Sequence, residues 1–71
     1  MAHDVFADLV ATVLEVAVRE GEEVVPGRQM FLLESMKMEI PVVAEVAGTV
    51  LRVEVAPGDT VRMGGLLAVL S

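Results

Sequence analysis

The chain has no cysteine, tryptophan or tyrosine, one histidine, and a single lysine among its 71 residues. Without cysteines or a cluster of histidines, neither disulfides nor a zinc site is expected to staple it. A chain this short buries only about 60% of its unfolded surface. Its stability must therefore come from the 55% of residues that are hydrophobic, and with only two phenylalanines that core must be aliphatic. Eleven acidic against five basic side chains leave a net charge of −6. That balance, with no basic patch and no stacking aromatics, excludes an ordinary nucleic-acid binder. No run approaches the ~18 apolar residues of a membrane span; the longest uncharged stretch is Met63–Ser71, which holds two glycines. Asp4 and Asp8 stand where a signal peptide would carry lysine or arginine. A single domain over residues 1–71, free-standing in the cytoplasm, is the expectation.

What the chain does have is a repeat. Residues 5–33 shifted by 37 lie on 42–70 without a gap, matching Val5/Val42, Ala7/Ala44, Thr12/Thr49, Val13/Val50, Leu14/Leu51, Val16/Val53, Val18/Val55, Gly21/Gly58, Val24/Val61 and Gly27/Gly64. Asp8/Glu45, Glu22/Asp59, Leu32/Val69 and Leu33/Leu70 extend the match. The glycines coincide where turns are expected. Two copies are too few for a solenoid, so a closed domain with pseudo-twofold symmetry is expected.

The repeat also separates strand from helix. Residues 9–25 alone could pass for an amphipathic helix, with Leu9, Val10, Val13, Leu14 and Ala17 on one face. Their partner segment contains Gly48 and Pro57, which leave too little room for a helix between them. There Leu51, Val53 and Val55 alternate with Arg52 and Glu54, the period of a half-buried strand. By equivalence Leu14, Val16 and Val18 point inward, and Glu15 and Arg19 outward. Pro26-Gly27 and Pro57-Gly58 suit the central positions of type II turns; Gly21 and Gly64-Gly65 mark further turns. Strands are predicted near 5–10, 12–19, 23–25, 29–34, 39–43, 48–55, 60–62 and 66–70. The expected fold is all-β: a flattened barrel or sandwich of two antiparallel sheets with a pseudo-twofold axis.

Between the repeats lies 34–41, Glu34-Ser35-Met36-Lys37-Met38-Glu39-Ile40-Pro41. Flanked by strands, it should be a hairpin connection. Tight hairpins use Asn-Gly or a similar glycine pair, yet this one brackets the chain's one lysine with two methionines. Large apolar groups at an exposed tip add little stability, and such breaks of a local rule are expected at functional sites. The repeat predicts Lys37 near the symmetry axis at one end of the sandwich, with both termini at the other.

At these residues the chain resembles the biotinyl carrier domain of biotin-dependent carboxylases over nearly its whole length. The family's attachment motif is Ala-Met-Lys-Met at a hairpin tip; here it reads Ser35-Met36-Lys37-Met38, with the flanking acids at Glu34 and Glu39. Gly48-Thr49-Val50, Gly58-Asp59 and Gly64 match the family's second half. Ser35 replaces the usual alanine, and Ala11 stands where the first half normally has glycine. The ungapped repeat leaves no space for the extra loop of some bacterial carriers.

The resemblance implies a covalent biotin on Lys37, attached by a biotin ligase that recognises Met36, Met38, Ser35, Glu34 and Glu39. It implies a carrier, monomeric when isolated, serving biotin carboxylase and carboxyltransferase subunits. The alternative on the same fold is a lipoyl carrier of a 2-oxo acid dehydrogenase, but its usual Asp-Lys-Ala tip matches neither neighbour of Lys37. An enzyme would need a nucleophile with its base. Ser35, Ser71, Thr12, Thr49 and Thr60 have no evident one, His3 is expected to be solvated near the terminus, and no catalytic or metal-binding set is expected. Met30 and Met63 read as packing residues.

Overall fold

In a computed structural model, described for residues 2–71, the chain forms eight strands: β1 (His3–Phe6), β2 (Ala11–Val16), β3 (Glu23–Val24), β4 (Gln29–Ser35), β5 (Met38–Val43), β6 (Gly48–Val53), β7 (Thr60–Val61) and β8 (Leu66–Leu70). One sheet runs β1-β8-β6-β3 and the other β5-β4-β2-β7, with every pairing antiparallel. Each of the expected strands is present, several of them shorter. β1 stops at Phe6 instead of continuing to residue 10, and residues 7–10 become a loop.

The two sheets are images of one another. Exchanging β1 with β5, β2 with β6, β3 with β7 and β4 with β8 turns one strand order into the other. Loop hydrogen bonds follow the same rule. Val13 N–H donates to Asp59 O and Val50 N–H to Glu22 O; Gly58 N–H donates to Val13 O and Gly21 N–H to Val50 O. The halves therefore interlock, each closing the turns of the other. Pro26-Gly27 and Pro57-Gly58 form the expected turns, closed by Arg28 N–H to Val25 O and Asp59 N–H to Ala56 O. The second central residues, Gly27 and Gly58, have φ of 93 and 95, a region open to glycine at no steric cost.

This symmetry corrects the expected place of the lysine. The β4–β5 hairpin is the image of the β8–β1 pair, whose open ends are the two chain termini. The twofold thus exchanges the hairpin with the termini and passes between them. Lys37 lies at one end of a body 33 × 18 × 17 Å, away from the axis.

Bulges account for a second correction. Val13 pairs with Leu33 and Glu15 with Leu32, so Leu14 is an extra residue; its image Leu51 is extra between Val50↔Leu70 and Arg52↔Val69. A bulge reverses the in–out alternation on one side of itself. Val13 and Val50 are consequently the core residues, each 1% exposed, while Leu14 is half-buried and Leu51 is 48% exposed. Val16, Val18, Val53 and Val55 beyond the bulges keep their inward direction. A second image pair, Met30 and Leu67, is also skipped in the register. There the bulge lets consecutive residues, Met30-Phe31 and Leu67-Ala68, all be fully buried. Phe31, Met30, Leu33, Leu67 and Leu70 fill the centre, so the core is aliphatic around one phenylalanine. Met63, expected to pack, is exposed.

Gly48 explains why the repeats differ at their strand starts. A Cβ there would lie 2.5 Å from the Ser71 carbonyl oxygen, whereas its image Ala11 is buried and carries one. β2 and β6 nevertheless start in equivalent pairings, Ala11 with Val61 and Gly48 with Val24.

Candidate functional site

The expected connection over 34–41 contracts to two residues. β4 continues to Ser35 and β5 begins at Met38, the two paired directly across the turn. Met36 and Lys37 alone make the corner, with φ of 53 and 66. Positive φ at both central residues defines a type I′ turn, whose twist matches that of the flanking strands. Each left-handed non-glycine residue costs about 1–2 kcal/mol. Pro41 lies inside β5, which tolerates it because β5 is an edge strand.

Lys37 is exposed at this corner, Met36 is 89% exposed and Met38 61%. Among the described residues the ion pairs are Arg28–Glu22 and Arg52–Glu54, so the Lys37 ammonium engages no carboxylate there. Glu34 and Glu39 are exposed and face each other across the hairpin, one step below the corner. Like charges directly opposite are unfavourable, a second local cost at the same tip. Ser35 is half-buried, and its hydroxyl donates to the Val10 carbonyl at 2.9 Å. The structure thus brings all six sequence-identified residues to one turn, and adds Val10. No pattern within residues 7–10 announces that contact, because it depends on the loop folding back across 25 residues.

Away from the tip, a groove of about 350 Å³ runs along the seam between the edges of β1 and β5. It is lined by image pairs, including Asp4/Pro41, Val5/Val42 and Asp8/Glu45. His3 is not a solvated terminal residue but a half-buried member of β1 paired with Leu70. It makes no ion pair with the carboxylates of that groove. No group of three or more histidine, aspartate or glutamate side chains converges as a metal site among the described residues.

A tip of this kind suits covalent loading of a carboxylic acid. An exposed amine outside the ion pairs described can be acylated without dismantling the fold. The family model described as "Biotin-requiring enzyme" matches residues 5–70. A "Biotinylated protein TB7.3 homolog" of Mycobacterium leprae is 56% identical over 71 residues, covering the whole of both chains. The biotin carboxyl carrier protein of Streptococcus mutans is 38% identical over 65 residues, 92% of this chain and half of that protein. Among solved structures, a single-chain, multi-domain long-chain acyl-CoA carboxylase superposes with a TM-score of 0.89 at 40% identity. That match covers 96% of this chain and 7% of the larger one. By family match, sequence identity and fold, the chain belongs to the biotin-requiring enzyme family.

Proposed function

We propose that the chain is a biotin carrier of a biotin-dependent carboxylase and that Lys37 is its attachment residue. The observation that supports this most directly is the Met36-Lys37 corner: the chain's one lysine, exposed, in a turn that costs stability to build. The relatives named as biotinylated protein and biotin carboxyl carrier protein favour biotin over lipoate, as do the methionines on both sides of Lys37.

Lys37 presents its amine at the end of the body, where a biotin ligase can enclose it. A lysine amine is normally protonated near neutral pH and a poor nucleophile, so the ligase supplies its deprotonation and the carrier needs no base. Met36 and Met38 offer apolar surface on either side, and Ser35 fixes the corner from below. Glu34 and Glu39 offer paired carboxylates to a cationic ligase surface. Once joined to Lys37 through an amide, biotin supplies a ureido nitrogen that takes up and releases CO2. The domain's own contribution is tethering: a group held on one arm reaches the biotin carboxylase and carboxyltransferase sites in turn without dissociating. In this reading the domain is a non-catalytic, cytoplasmic monomer that docks transiently on those subunits.

The test is intact mass after incubation with biotin ligase, biotin and ATP. Wild type should gain one biotinyl increment and Lys37→Arg none, with the same thermal midpoint because Lys37 is exposed and outside every ion pair described. A lipoyl increment from lipoate ligase in its place would establish the alternative. No increment on wild type would overturn both.

A further inference from the structure

The loop hydrogen bonds of this molecule recur at a spacing of 37. Among the side-chain bonds, Arg19 N–H to Glu22 and Ala56 N–H to Asp59 are images, while three others, one of them at the Lys37 turn, have none. Ser35 Oγ donates to the Val10 carbonyl at 2.9 Å. The image of Val10 is Ala47, whose carbonyl accepts no side-chain hydrogen bond among the described residues. The Ser35 bond lies at the hairpin end of the molecule. Its two partners are the first residue of the Lys37 turn and the last residue of the loop joining β1 to β2.

Its consequence is positional. Val10 is 61% exposed, and its backbone is held within one hydrogen bond of the turn that carries Lys37. Scattered exposed apolar residues are ordinary, but here exposed Val10 is tied through its carbonyl to the turn in which exposed Met36 and Met38 flank Lys37. An enzyme that acylates Lys37 must bring the amine up to an activated carbonyl carbon. A residue one hydrogen bond from the corner is placed to meet that enzyme as the amine is brought up.

We propose that the acylating enzyme reads Val10 together with Met36 and Met38, and that Ser35 is the positioning residue that holds Val10 in place. This rests on the carrier reading above. An alanine at position 35 lacks the hydroxyl and frees the loop, whereas a threonine retains it.

The experiment compares wild type with Ser35→Ala, Ser35→Thr and Val10→Ser. It measures steady-state biotinylation by biotin ligase and amide hydrogen exchange across Asp8–Ala11. Ser35→Ala should speed exchange in that loop, leave the strand amides of β4 and β8 protected, and raise KM for the domain. The expected rise is about three- to tenfold at unchanged kcat, the span of one neutral hydrogen bond. Val10→Ser should raise KM without altering exchange, and Ser35→Thr should restore both. Unchanged loop exchange in Ser35→Ala would overturn the positioning role. Unchanged KM in Val10→Ser would overturn recognition of Val10. A wild-type domain that is never acylated would overturn the carrier reading and the recognition with it, while the exchange measurement still reports separately on the Ser35 bond.

Discussion

Met36 and Lys37 occupy consecutive left-handed backbone positions, φ 53 and 66, closing the β4–β5 hairpin with no residue to spare. The turn type demands that geometry, and glycine or asparagine would supply it more cheaply. Two long side chains there mean that the chain gives up stability to present an amine.

Replacing the corner by Asn-Gly measures that cost. Met36→Asn with Lys37→Gly should raise the free energy of unfolding by about 1–2 kcal/mol, read from urea denaturation, while abolishing acylation. Met36→Asn alone should give a smaller gain and keep the acceptor amine. A double variant no more stable than wild type would show that the corner carries no strain.

Val50 and Leu51 exchange the roles that simple alternation assigns to them. Leu51→Ser should change stability by no more than about 0.5 kcal/mol, as for an exposed site. Val50→Ser should cost about 3 kcal/mol, combining a cavity with a polar group placed in the core. Thermal unfolding of the two variants checks this, and equal losses would refute the bulge at Leu51.

Glu22 gives the fold an acid-sensitive contact. Arg28 Nη2 lies 2.7 Å from its carboxylate and Arg19 N–H donates to the other oxygen at 3.2 Å. The Arg28 hydrogen bond is the leading cause that holds the Glu22 pKa below the usual glutamate value. A folded pKa below the unfolded one stabilises above the unfolded value, about 4.3. That contribution is lost as pH falls through the folded value. The urea midpoint of wild type should thus fall on acidification below about pH 4.3, and Glu22→Gln should show a flatter acid limb. Identical acid limbs would exclude a contribution from this pair.

Much of the architecture was legible before any coordinates. The spacing of 37 predicted paired sheets, and Pro26-Gly27 and Pro57-Gly58 carried their turn geometry in two adjacent residues. The lysine stood out because Met-Lys-Met contradicts hairpin chemistry. Alternation misplaces Leu14 and Leu51 because it is a local signal, while a bulge is a mismatch between two strands. The place of Lys37 relative to the axis is hidden for a related reason. A repeat in sequence does not say which parts of the folded chain its symmetry exchanges.

By itself, then, the sequence determined what local chemistry can encode: eight strands, glycine turns, an aliphatic core and one lysine between two methionines. The tertiary structure decided what depends on segments meeting. It sent the backbone bonds of Val13 and Val50 to the turns of the opposite half, pushed Leu51 outward, and took the lysine off the symmetry axis while leaving it at the expected end. It also brought Val10 to Ser35 across 25 residues, because a hydroxyl and a carbonyl at that separation become partners only when the fold closes.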